Sequence, residues 1–135
     1  MILVDSSVLI NYLKGVDNAN TMLFDDMLKR KIPYGIASYT YQEVLQGAKN
    51  EPEYSRLKEY LSVQTMFFPP EEKETYEEAA QMCCNLRRHG IKPKSVVDVL
   101  IAFIAIRYDL TLLHDDKEFD MMASVLKELK ILKIF

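Results

Sequence analysis

Cysteine is nearly absent from this chain: only Cys83 and Cys84 occur, side by side on a helical stretch. That spacing suits neither a tetrahedral metal site nor an ordinary disulfide, so both are expected to fill core volume in a reducing cytosol. Long apolar runs are missing too. Nothing approaches the ~18 consecutive apolar residues of a membrane span, and no basic region precedes the first apolar run, as a secretory signal requires. A soluble cytoplasmic protein with no membrane partner is expected. Basic excess is also absent, since 17 Lys and Arg stand against 20 Asp and Glu for a net charge of -3. Whole-protein attraction to nucleic acid is thereby excluded, and any such binding has to come from a local patch or from bound cations. Internal repeats, low-complexity runs and long linkers are lacking as well. The 135 residues therefore read as one domain, 1–135, large enough to bury roughly two thirds of its unfolded surface.

What the chain does have is an alternation of short apolar strands with helical patterns. Met1 to Val4 is a buried strand interrupted by Asp5, and Val8 to Leu13 is a short helix stopped by Gly15. Residues 18 to 31 form a second helix with Ala19, Met22, Leu23 and Met27 on one face. Phe24 and Leu28 widen that stripe beyond what one core contact needs, so it reads either as a partner surface or as a helix packed between two layers of its own domain. Ile36 and Ala37 make a weak second strand, Ser38 to Ala48 a helix, and a helix with Tyr54, Leu57, Tyr60 and Leu61 follows Pro52. Val63 to Phe68 is the third strand. Residues 71 to 89 are amphipathic, with Tyr76, Ala79, Ala80, Cys83 and Leu86 expected inward, acids at the start and Arg87, Arg88 and His89 at the end, an order that suits the helix dipole. The segment VVDVLIAFIAI is apolar all round yet carries Asp98 in its first turn. Thr111 to Leu113 is a fourth strand, an acidic loop and a helix near 119 to 129 follow, and ILKIF reads as a fifth strand. Such alternation predicts a parallel sheet covered by helices on both faces.

Four carboxylates fall where that topology brings strand ends together. Asp5 ends the first strand, Glu43 lies in the helix after the second, Asp98 begins the buried helix, and Asp116 follows the fourth strand. Ligands of such sheets sit beyond the carboxyl ends of the strands. Each acid also has a simpler explanation. Asp5 is a good N-cap, Thr40 with Glu43 and Ser95 with Asp98 have capping-box spacing, and Asp116 sits among solvated acids. Convergence is what separates the two readings. Gathered carboxylates repel one another unless some bind protons or a hard divalent cation such as Mg²⁺ or Mn²⁺. Such a cation lowers the pKa of a bound water and stabilises the leaving oxygen of a phosphodiester.

The segments LVDSSVLINYL, SYTYQEVLQGA, SVVDVLIAFIAI and LLHDDKEFD stand in the order, and at about the separations, of the PIN domain. The resemblance covers essentially the whole chain and is closest to VapC-like toxin ribonucleases. It implies a three-layer α/β/α sandwich with a mainly parallel five-stranded sheet, and a Mg²⁺- or Mn²⁺-dependent endoribonuclease of tRNA or another structured RNA. It also implies control by a cognate antitoxin protein, and a homodimer. The family's acidic quartet maps onto Asp5, Glu43, Asp98 and Asp116, and its hydroxyl residue after the first acid maps onto Ser6. The doublet Asp115–Asp116 leaves the last acid open. The spacing to Phe119 selects Asp116, with Glu118 as a further ligand.

For RNA, Lys14, Arg87, Arg88, Lys94 and Lys117 are the candidate phosphate contacts, with His89 and Lys92 in the same basic stretch. Met22, Phe24 and Leu28, joined by Tyr54 and Leu57, are the candidate antitoxin surface. Two rival α/β modules fit less well. A response-regulator receiver needs an acid where this chain has Phe67, Phe68, Pro69 and Pro70, and a haloacid-dehalogenase phosphatase needs one at Ser7. A PIN-like domain that only binds remains the alternative to an enzyme.

Overall fold

Strands of two to four residues bury little by themselves, so this sheet depends on helices packed against both its faces. The computed structural model describes residues 1–133. Ile2–Val4 (β1), Tyr34–Ala37 (β2), Thr65–Phe67 (β3), Thr111–Leu113 (β4) and Lys130–Ile131 (β5) form one sheet in the order β3-β2-β1-β4-β5. Every pairing is parallel, with Ile2 opposite both Tyr34 and Thr111. The helices are Ser6–Leu13 (α1), Ala19–Lys29 (α2), Ser38–Gln46 (α3), Glu51–Ser62 (α4), Lys73–Arg88 (α5), Val96–Arg107 (α6) and Lys117–Val125 (α7). The expected three-layer α/β fold with a parallel five-stranded sheet is the fold observed.

The period of two along each strand divides the core. Leu3, Ala37 and Leu112 pack with residues of α5, α6 and α7, while their neighbours Val4, Ile36 and Leu113 pack with residues of α1 to α4. One layer of helices thus lies on each face. β2 and β3 approach so closely that a Cβ at Gly35 would stand 2.9 Å from the Thr65 carbonyl oxygen and 2.5 Å from the Phe67 ring. Glycine is required there by the neighbouring strand. Gly15, with φ +76, ends the first helical stretch in the left-handed conformation its position predicts.

Several local expectations are corrected. Phe24 is 0% exposed, and its ring meets Tyr12 and Tyr34 edge-on at 5.0 and 5.2 Å, so it belongs to the core and not to a partner surface. Truncating a ring so placed costs about 3–5 kcal/mol. Leu28 is half-buried against the same cluster, and α2 is therefore the helix held within its own domain. Along α5 the core face is Thr75, Ala79 and Leu86, whereas Tyr76 and Ala80 are exposed. Cys84 is exposed and Cys83 half-buried, because adjacent helical residues point about 100° apart and cannot both face one core. α7 begins at Lys117, earlier than expected, because Asp116 caps it. β5 is Lys130–Ile131, and Ile134 and Phe135 of the expected fifth strand lie outside the described residues. No helix among the described residues is long and apolar enough to cross a membrane.

Candidate active site

β1 and β4 lie side by side at the middle of the sheet, so whatever follows them shares one edge. The Asp5 N–H donates to the Leu113 carbonyl at 2.9 Å, which carries the strand ladder one residue further and fixes where Asp5 sits. Asp5 caps α1 through one oxygen only. Its Oδ2 accepts from the Ser7 N–H at 3.1 Å and from the Ser7 hydroxyl at 2.7 Å. Capping and site membership are therefore compatible. The same Ser7 hydroxyl accepts from the Asp115 N–H at 2.9 Å, tying the loop after β4 to Asp5.

Neither capping box that the spacing allowed forms. α3 is preceded by Ala37, which offers no capping side chain, and Glu43 instead accepts from the Ser6 hydroxyl at 2.9 Å through Oε2. Ser95 caps α6 by accepting from the Val97 N–H, and no described residue hydrogen-bonds to the Asp98 carboxylate. Asp116 caps α7 by accepting from the Glu118 N–H at 3.0 Å, and Glu118 accepts from the Lys94 N–H across to the loop before α6. Asp98, Asp116 and Glu118 each place a carboxylate oxygen within 4.8 Å of the other two. Asp115 is not in that group.

The electrostatics follow from this crowding. Burial, and then the charges of Glu118, Asp5, Asp116 and Glu43, push the Asp98 carboxyl from 3.8 up to about 6. Burial likewise raises Asp5 against the opposing hydrogen bonds from Ser7, and raises Glu43 against the bond from Ser6. Five carboxylates thus feel one another, and no ion pair among the described residues neutralises any of them. An all-oxygen donor set of surplus negative charge fits a hard divalent cation. Asp98, Asp116 and Glu118, with Asp5 and Glu43, are the residues able to hold it.

The basic candidates separate. Lys94 and Lys117 adjoin the acids, through the bond to Glu118 and at the first position of α7. Arg87 lines a groove that reaches Val96 at the start of α6. Lys14 follows the far end of α1, and Arg88 lies beside Phe103 and Arg107 in the later turns of α6, so the structure does not bring these two to the acids.

Sequence reasoning passed over two residues here. Ser7 links Asp5 to the β4–α7 loop, and the only hint of it was the serine doublet after Asp5. His114 is buried and accepts from the Asp116 N–H at 3.0 Å through Nδ1, which places its proton on Nε2, 3.1 Å from Asp120 Oδ1. Its contact with Asp120 is a hydrogen bond donated by Nε2. Nothing in the motif LLHDDKEFD distinguishes this histidine from a loop residue.

A parallel α/β sheet with a cluster of acids beyond the ends of β1 and β4 defines a class of α/β domain with an acidic centre at the carboxyl ends of its strands. Within that class the chain belongs to the PIN-domain family, whose model matches residues 2–125. Solved structures of the same fold include VapBC2 from Rickettsia felis bound to a DNA fragment from their promoter, with a TM-score of 0.74 at 18% identity over 100% of both chains. VapBC-1 from nontypeable Haemophilus influenzae has a TM-score of 0.72 at 18% identity over 98% of each chain. FitAcB from Neisseria gonorrhoeae has 0.70 at 20% identity over 98% of this chain and 97% of that one. No curated protein matches the sequence.

The raised Asp98 carboxyl sets a pH dependence of stability. The unfolded chain ionises it near 3.8 and the native state near 6, so across that window the native state holds more protons. Stability of the metal-free protein therefore falls as pH rises through the window and stays lower above it. Discounted for the half-exposed carboxylate, the fall is about 1 kcal/mol. Asp98→Asn is expected to be more stable than wild type by about that amount at neutral pH in chelator, measured by urea denaturation. A variant no more stable than wild type contradicts the raised carboxyl.

Proposed function

We propose that the protein is a Mg²⁺- or Mn²⁺-dependent endoribonuclease that hydrolyses phosphodiester bonds of tRNA or another structured RNA, as the toxin of a toxin–antitoxin pair. The observation that carries this reading is the trio Asp98, Asp116 and Glu118, with ligand oxygens within 4.8 Å of one another at the open end of a PIN-domain sheet. The toxin role is supported by the neighbours of the same fold, which are VapBC and FitAB assemblies.

Asp5, Asp98, Asp116 and Glu118 hold the cation in this reading. When bound, it polarises the phosphate, lowers the pKa of the attacking water and offsets the charge on the leaving oxygen. The chain's own groups then have separate tasks. Ser6 occupies Oε2 of Glu43 and leaves Oε1 free, and burial keeps that carboxyl above its ordinary value, as suits a group that takes a proton from water. Ser7 and His114 hold the loop that carries Asp116. Lys94 and Lys117 offer charge to flanking phosphates.

Metal-stripped wild type is expected to cut total tRNA only after Mg²⁺ or Mn²⁺ is restored, and Asp98→Asn, purified identically, to cut about 100-fold or more slowly. Equal cutting by both removes Asp98 from the chemistry.

The antitoxin surface moves outward from Phe24. Met22 is 65% exposed at a groove between α1 and α2 that also takes in Leu13 and Val16, while Asp25 and Asp26 on its rim are paired with Lys29 and Arg30. An apolar segment complements it. Met22→Asp is expected to weaken capture of the neighbouring gene's product about tenfold or more in a pull-down, and unchanged capture places the antitoxin elsewhere.

The homodimer is supported by the apolar groove between α5 and α6, where Val96 is 77% exposed beside Tyr76 and Ala80. Light scattering is expected to give twice the chain mass for wild type and the single mass for Val96→Glu. A wild-type monomer at high concentration removes this part.

A further inference from the structure

A cavity of about 390 Å³ opens between α3 and the start of α6, directly beside the acids. Glu43 and Asp98 form part of its wall, and Tyr39, Gln42 and Gln46 form much of the rest. These three lie on one face of α3 because their spacing follows the helical repeat. Its volume falls in the range of small-molecule pockets, and it stands half open to solvent.

Its chemistry selects the occupant. Both glutamine amides are exposed and hydrogen-bond to no described residue, so each presents a free donor and a free acceptor. No basic side chain lines the cavity, and two carboxylates do, which turns away a phosphate. A purely apolar side chain would leave the amides unpaired. Tyr39 is half-buried, packs against the core residues of α5 and α6 and also lines the cavity, so its ring is a platform held in place from behind. A flat, uncharged group with donors and acceptors on its edge satisfies every wall. An unpaired nucleobase is such a group, and bases are read this way, by stacking and by their hydrogen-bonding edges, only outside a duplex.

Resting on the nuclease reading above, we propose that this cavity holds the unpaired base next to the scissile phosphate, with Tyr39 stacking on it and Gln42 and Gln46 reading its edge. The enzyme then selects a cleavage site by one splayed base in single-stranded RNA. Gln42 and Gln46 are specificity residues, and the acids beside them are not altered by changing them.

The test digests an unstructured, random-sequence RNA pool with Mn²⁺-loaded wild type and with a Gln42→Ala, Gln46→Ala double variant, and maps every cut by sequencing. Mn²⁺ affinity is measured on both proteins by calorimetry. Wild type is expected to prefer one base at a fixed position beside the cut, and the variant to lose about tenfold of that preference with Mn²⁺ affinity unchanged. Tyr39→Leu is expected to slow cutting at all sequences alike. Cleavage by the double variant with the wild-type preference, or a wild type with no base preference, overturns the pocket while leaving the nuclease intact. Wild type that cuts tRNA but not this pool overturns the pocket alone, and Mn²⁺-bound wild type that cuts neither overturns the nuclease reading and the pocket with it.

Discussion

Five carboxylates crowded at one end of a sheet repel one another, and the rest of the molecule has to hold them there. Burial first, and then the charges of the other four, keep the proton of Asp98 to about pH 6. The opposing free energy comes from the two core clusters that clamp the sheet between helix layers. Leu3 and Val4, both fully buried on opposite faces of β1, anchor the residue directly before Asp5. Leu112 and Leu113 do the same for β4 ahead of Asp116. A strand buried on both faces cannot slip by one residue without exchanging its two faces, so the acids that follow are fixed in position by apolar packing.

Hydrogen bonding divides the labour within each carboxylate. Asp5 and Asp116 each commit an oxygen to a helix N-terminus, where a cap contributes about 1 kcal/mol. Glu43 commits one to Ser6, and Glu118 one to the Lys94 N–H. Only Asp98 is held by nothing but its helix. The group with fewest internal partners is also the one pushed up to about 6, by burial first and then by the neighbouring charges, with no hydrogen-bond donor to oppose them.

What the sequence disclosed and what it hid divide along the same physical line. Strand positions and the places of the four acids were legible because they depend on short-range patterns: an apolar run, an interrupting carboxylate, a helix start. The width of the apolar stripe on α2 was legible too, but not its meaning, since a helix packed on both α1 and the sheet shows the same periodicity as one awaiting a partner. Phe24 was misassigned for that reason. The capping-box spacings at Thr40–Glu43 and Ser95–Asp98 form no box, because the motif records which side chains could bond locally, whereas Ser6 competes for Glu43 from 37 residues away. Ser7 and His114 escaped notice on the same ground. Their partners, Asp115 and the Asp116 N–H, become meaningful only once β1 and β4 are neighbours.

The net charge of -3 and the proposed RNA substrate are reconciled by linkage. With its acids uncompensated, the site repels a phosphate, and Lys94 and Lys117 are too few to reverse the sign of the field. A bound divalent cation would offset part of that charge and give a phosphate oxygen a direct partner. Whatever factor the cation adds to RNA affinity, RNA adds to cation affinity, because the coupling free energy is shared. A protein of this charge gains no affinity for RNA at large, so under the proposed reading its contacts are confined to the few nucleotides at the acids and the adjoining cavity. Selectivity has to be built from those few nucleotides, and the uncharged amides of Gln42 and Gln46 are the groups placed to supply it.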